Sequence, residues 1–123
     1  MGKFNNLDAF QAAIDLMVEV YRTTEAFPPA ERYGLTSQMR RAAVSVVSHI
    51  AEGQGRLTFG ESRQLFSQGR GSLYEVEAQG IAAVKLGFLT DDQMLRKRLQ
   101  RAGQTLEGLI RYTRKREEAA KKR

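Results

Sequence analysis

Cysteine is absent from the sequence, which excludes disulfides, thiol nucleophiles and cysteine-ligated zinc. With a single histidine, His49, a transition-metal site is not expected either. Only two prolines occur, adjacent at Pro28 and Pro29, so little interrupts a helix. No apolar run approaches the ~18 residues of a membrane span. Residues 1–10 lack the apolar stretch of a signal peptide, and a cytoplasmic protein without membrane contact is expected. Period-two alternation flanked by hairpin turns is missing as well, which argues against strands.

What remains is a chain of 123 residues, 41% hydrophobic and 28% charged, the size and composition of one globular domain. Its net charge of +6 is unevenly placed. Residues 1–93 carry nine Lys and Arg against eleven Asp and Glu, whereas residues 94–123 carry eleven against three. A charge of +8 gathered in the last quarter suggests a polyanionic partner, nucleic acid first.

Four helical segments account for nearly the whole chain. Leu7, Phe10, Ile14, Met17, Val18 and Tyr21 recur in steps of three and four and predict the core face of a first helix. Asn5 or Asn6 would cap it, and Phe27-Pro28-Pro29 would end it. A second helix from Leu35 or Thr36 to about Glu52 carries Met39, Ala43, Val44, Val46, Val47 and Ile50 around more than half its circumference. A helix this apolar is expected to be buried on two sides, the second by another subunit. Gly53 and Gly55 would stop it in a left-handed turn.

Thr58 to Glu61 fits a capping box and opens a third helix with Leu65, Phe66, Leu73, Val76, Ile81 and Val84 inward, ending at Gly87. Gly69 and Gly80 fall on that apolar face, where they would let a neighbouring helix approach closely. Thr90 to Gln93 fits a second capping box. The fourth helix then presents Leu95, Leu99, Ala102, Leu106, Leu109 and Thr113 at near-heptad spacing. These segments predict an all-α, antiparallel up-and-down four-helix bundle over residues 1–112, with 113–123 a basic C-terminal extension.

No catalytic constellation accompanies this pattern. His49 and Glu52 share a helix face, but no nucleophile, second acid or metal cluster stands beside them. Gly53-Gln54-Gly55 follows a helix and lacks the lysine of a phosphate loop. No enzyme activity, cofactor or metal is expected. The basic region supplies the candidate nucleic-acid-binding residues: Lys97, Arg101, Arg111, Arg114, Lys115 and Arg116. Lys97 and Arg101 share a helix face, as do Arg111 and Lys115, and their mutual repulsion would be relieved by a polyanion. Tyr112 alone interleaves them, so contact with phosphates is expected rather than base stacking.

The run from Glu31 to Arg56 contains Tyr33-Gly34-Leu35-Thr36, Gln38, Arg40-Arg41-Ala42, Ser45, Ile50-Ala51-Glu52-Gly53 and Arg56. With Gly71-Ser72-Leu73, Glu75, Glu77 and Lys85-Leu86-Gly87-Phe88-Leu89, it resembles the bacterial four-helix-bundle family named for proteins encoded in intervening sequences of large-subunit ribosomal RNA genes. The resemblance covers about residues 4–112 and implies a ring-like homopentamer. Distant relatives are the accessory variability proteins of diversity-generating retroelements, so it also implies RNA or a reverse transcriptase as partner. The sequence departs from the family pattern at His49, usually asparagine, and at Val47, often proline.

Within the matching blocks, Arg40, Arg41, Glu75 and Glu77 are read first as ion pairs across the bundle. In the other reading Arg41 or Arg56 faces a phosphate. The sequence thus predicts a non-catalytic oligomeric bundle binding structured RNA or a ribonucleoprotein. The alternative is an assembly scaffold that grips an acidic protein without touching RNA.

Overall fold

In a computed structural model that describes residue 4 and residues 7–122, four helices account for most of the chain. They are α1 (Asp8–Thr24), α2 (Leu35–Gln54), α3 (Phe59–Lys85) and α4 (Gln93–Lys121), with one 3-10 turn at Pro29–Glu31. No strand occurs among the described residues. None of these helices is long and apolar enough to cross a membrane. α2 packs on α1 and α3, and α4 packs on α3 and α1, so the helices form a four-cornered bundle with α2 and α4 on opposite corners.

Side-chain pairings give the direction of each helix. Ser45 meets Ser72, and a Cβ at Gly53 would meet Phe66, so α2 and α3 run antiparallel. Arg70 meets Glu107 and Arg63 meets Glu117, which sets α3 and α4 antiparallel. Phe27, after α1, lies 5.8 Å from Phe88, after α3, so both of those turns close the same end of the bundle.

The helix ends follow from local chemistry, with two departures from expectation. Thr58 caps α3, its hydroxyl accepting from the Glu61 amide at 3.1 Å. At the other end Gly87 takes φ 78°. There Phe88 N–H donates to Ala83 O and Gly87 N–H to Val84 O, the two bonds of a Schellman turn. Thr90 does not cap α4. Asp92 occupies the N-cap without a side-chain cap bond, and the Gln93 amide donates instead to Asp91 Oδ1 at 3.2 Å. Gly53 and Gly55 are not left-handed: α2 continues through Gly53 to Gln54. Asn5 and Asn6 lie outside the described residues, and Leu7 takes the N-cap of α1 with no side-chain bond.

The core corrects the sequence reading most sharply on α1. Its buried residues are Ala9, Ala12, Ala13, Leu16, Val20 and Thr24. Alanines let α1 lie close to its neighbours; of the larger series Leu7, Phe10 and Met17 are half-buried and pack against the edge of the core, Ile14 is half-buried, and Val18 and Tyr21 are exposed. α2 differs too, because its apolar surface is largely consumed within the bundle and only Val44 is an exposed large hydrophobic. On α3, Ala83 is buried while Ile81 and Val84 are exposed. The α4 seam is as expected, with Leu95, Ala102, Leu106 and Thr113 buried, joined by Ile110.

Close approach explains three glycines inside helices. A Cβ at Gly53 would fall 2.5 Å from Phe66 Cε1, one at Gly69 3.3 Å from His49 Cβ, and one at Gly80 3.2 Å from Leu95 Cδ2. Gly71, on the same helix as Gly69, faces open space. Gly53→Ala therefore lowers unfolding stability by about 1–3 kcal/mol through overpacking against Phe66. Gly71→Ala raises it by about 0.5–1 kcal/mol. Denaturant unfolding of both variants checks the pair, and equal shifts would contradict the packing assigned to Gly53.

Candidate nucleic-acid interface

α4 is a continuous helix of 29 residues, so its axis is about 43 Å long at ~1.5 Å per residue. It runs through Tyr112 without a break, and most of the basic C-terminal residues are its last turns. Lys97, Arg101, Gln104, Gly108, Arg111 and Lys115 follow alternating steps of four and three. At about 100° per residue those steps keep one face, opposite the buried seam of Leu95, Ala102, Leu106 and Thr113. All four cations of this stripe are exposed and none has an ion pair among the described residues. Lys97 and Lys115 are about 27 Å apart along the axis at ~1.5 Å per residue.

Arg114 and Arg116 leave the stripe and flank it. Arg116 holds its guanidinium 5.2 Å from the Phe59 ring centroid, at the start of α3. Glu117 accepts a hydrogen bond from Arg63 Nε at 2.8 Å, with its side chain only 17% exposed. That bond holds the Glu117 carboxyl below its ordinary value of 4.5, outweighing partial burial, and the charges of Arg63, Lys121 and Arg114 add to the shift. Arg70 is similarly tied to Glu107 at 3.0 Å. These pairs fasten α4 to α3 and neutralise α3's own arginines, leaving the free positive charge on the outer face of α4.

The arginines of the second helix separate in role. Arg40 is fixed on α1: its Nε donates to Thr24 Oγ1 at 2.8 Å, Nη2 reaches Glu25 at 3.4 Å, and its guanidinium lies 4.6 Å from the Tyr21 ring centroid. The expected pairing with Glu75 or Glu77 is not made, because Arg40 points to α1 rather than α3. Arg41 is exposed and makes no hydrogen bond or ion pair with the described residues. It borders two adjoining concavities. One, of about 640 Å³, lies across α1, the 3-10 turn and α2, and is bordered by Tyr21, Arg32, Tyr33 and Arg40. The other, of about 330 Å³, lies between α2 and α3 and is bordered by Gln38, Glu75 and Gln79. The Gln79 Oε1 atom is buried without a hydrogen-bond partner among the described residues, which costs about 1–3 kcal/mol if nothing donates to it.

Arg56 stands exposed in the turn between α2 and α3, beside the fully exposed Leu57, and has no ion pair among the described residues. Arg41 and the α4 stripe do not converge on one site, since α2 and α4 occupy opposite corners, whereas Arg56 stands three residues before Phe59, at the end of the bundle where Arg116 lies. His49 is structural. Its Nδ1 lies 2.8 Å from the Ser45 carbonyl oxygen, a contact only a protonated Nδ1 can bond, and its Cβ packs over Gly69. Ser45 in turn bonds Ser72 at 2.9 Å. Among the described residues no group of three or more His, Asp or Glu gathers to hold a metal. Tyr33, 87% exposed beside Arg32, is the feature that sequence reasoning passed over. Its signal was the Arg32-Tyr33 pair next to two prolines, away from the basic tail.

The lowered Glu117 carboxyl makes the end of α4 acid-sensitive. A group with a depressed folded-state pKa contributes stability above its unfolded value and loses it as pH falls through the folded value. Helical Cα chemical shifts of residues 114–121 should therefore persist at neutral pH and move partway toward coil only below about 4.5. Glu117→Gln should loosen this segment at neutral pH as well and remove the acid transition. Full helicity in that variant would contradict the anchoring role of the Arg63 pair.

Residues 5–108 match the family model described as 23S rRNA-intervening sequence protein. The match covers α1 to α3 and the first half of α4, and ends before Arg111, Arg114, Lys115 and Arg116. A search of curated proteins finds no match. With most of its length matched and a four-helix bundle as its fold, the chain belongs to the 23S rRNA-intervening sequence protein family.

Proposed function

We propose that this protein is a non-catalytic, oligomeric RNA-binding bundle that grips the phosphates of structured RNA along the outer face of α4. The observation that carries the reading is the alignment of Lys97, Arg101, Arg111 and Lys115 on one unpaired stripe. Four cations on one face of a continuous helix suit a row of backbone phosphates. With the exposed Tyr112 the single aromatic beside them, they position an RNA rather than read its bases. Arg114 and Arg116 add flanking charge. The family's name points to a ribosomal-RNA-related role. Service to a reverse transcriptase on its template RNA would use the same stripe.

Assembly is the second half of the proposal. α1 spends its alanines on the core and leaves Val18 exposed and Ile14 half-buried beside the half-buried Phe10 and Met17 at the core's edge, an apolar strip that a second copy would cover. A ring of five copies, as the resemblance implies, would carry roughly +30 and attract RNA over long range.

The test is salt-dependent binding of a structured RNA hairpin by the full chain and by a variant with Lys97, Arg101, Arg111 and Lys115 all changed to Gln. Affinity at low salt should fall on the order of a hundredfold, and the salt slope should flatten by about three units. Folding stability should not fall, because the variant removes two like-charge i,i+4 pairs. Light scattering of the same samples should give a multiple of 13.9 kDa. Unchanged RNA affinity would remove the stripe from the mechanism and return its charge to an acidic protein partner.

A further inference from the structure

We propose that the concavity between α1 and the start of α2 binds one nucleotide unit, an aromatic base carrying a phosphate, free or within a single strand. At about 640 Å³ it falls within the size range of small-ligand sites, roughly 300–1,000 Å³. This goes beyond RNA phosphate binding by α4 and does not use that stripe, since α2 and α4 sit on opposite corners of the bundle.

Three features of the walls select this chemistry. The first is a flat apolar surface open to solvent. Tyr33 is 87% exposed, with Arg32 5.6 Å from its ring centroid. Arg40, held over Tyr21 by Thr24 and Glu25, presents a second flat group in a fixed position. Bases stack on tyrosine rings and on guanidinium planes alike.

The second feature is uncompensated positive charge. No aspartate or glutamate borders this concavity, and the one acid bound to its arginines, Glu25, is engaged by Arg40. Arg32 and Arg41 have no ion pair among the described residues and can each bond a phosphate oxygen. The hydroxyls of Ser37 and Ser48 line the same wall and suit phosphate or ribose oxygens.

The third is the adjoining cleft beyond Arg41. Glu75 and the buried Gln79 Oε1 are acceptors there with no donor among the described residues. The exocyclic amino group of adenine or guanine is a donor that such acceptors would bond. An aromatic donor-bearing base with an anionic tail matches all three, whereas an acidic peptide would use only the arginines.

The experiment titrates the full-length protein with AMP, with inorganic phosphate, with a ten-nucleotide oligoadenylate and with a duplex of equal length. Quenching of tyrosine emission and calorimetry give the affinities. The oligoadenylate should bind, and Tyr33→Leu and Arg41→Gln should each weaken it at least tenfold. The α4 variant with four Gln should retain the Tyr33-dependent quenching, and duplex affinity should not respond to Tyr33→Leu. AMP binding with the same Tyr33 dependence assigns the site to free nucleotides, and binding of the strand alone assigns it to RNA. Three results overturn the proposal: no binding by either, affinities unchanged in both variants, or a Tyr33→Leu effect on subunit mass instead of on nucleotide affinity. The last would give the concavity to a second copy of the chain. Loss of hairpin binding in the α4 variant with nucleotide binding intact keeps the two proposals separately testable.

Discussion

Phe66 lies across Gly53, and the approach of α2 to α3 is set there. With no side chain at Gly53 or Gly69, the two helices come close enough for the Phe66 ring and the His49 Cβ to fill the gap. Ser45 and Ser72 bond across the same seam at 2.9 Å. Further along, Met39 and Leu95 both approach Gly80, bringing α4 into register with α3. Two arginines of α3, Arg63 and Arg70, then pin α4 over its outer half. The seat of α4 on the bundle, and with it the outward facing of its cations, depends on this chain of contacts. Any side chain added at Gly53 pushes on the first link.

Those contacts also decide which faces remain uncovered. α2 packs against both α1 and α3, so most of its breadth of apolar residues goes into the core of the bundle, with Val44 left exposed. α1 buries Leu16 and Val20 among its alanines and keeps a second apolar strip, with Ile14 half-buried and Val18 exposed, beside the core's edge. Surface this apolar on a small domain is where a partner copy gains most from burial.

The four helices, most of their boundaries and the α4 seam were legible in the sequence because capping residues and heptad spacing are local chemistry. Thr58 is bound to cap wherever a helix follows it, and Leu95, Ala102 and Leu106 have one apolar face to offer. The orientation of α1 was not legible, since periodicity weights Phe10, Met17 and Tyr21 above Ala9, Ala12 and Ala13. Only packing distances reveal that the alanines face inward. The roles of Gly53 and Gly87 likewise depend on a neighbour's ring and on a backbone angle that composition does not carry. Of the candidate site, the stripe at Lys97, Arg101, Arg111 and Lys115 could be read from spacing. Arg114 and Arg116, one residue either side of Lys115, leave it by helical spacing, whereas the hold of Phe59 on Arg116 and of Arg63 on Glu117 joins residues distant in sequence. Tyr33 and Arg41 border one concavity only because the residues after the 3-10 turn and the first turns of α2 enclose it with Tyr21 of α1.

The account rests on α4's outer face carrying the RNA. Acetylation footprinting of the full chain with and without a structured RNA hairpin tests this directly, because lysines on that face and off it react in one sample. Lys97 and Lys115 should be protected by the RNA, while Lys85, at the end of α3, should react at an unchanged rate. Equal reactivity of Lys97 and Lys115 in the bound and free protein would contradict the account.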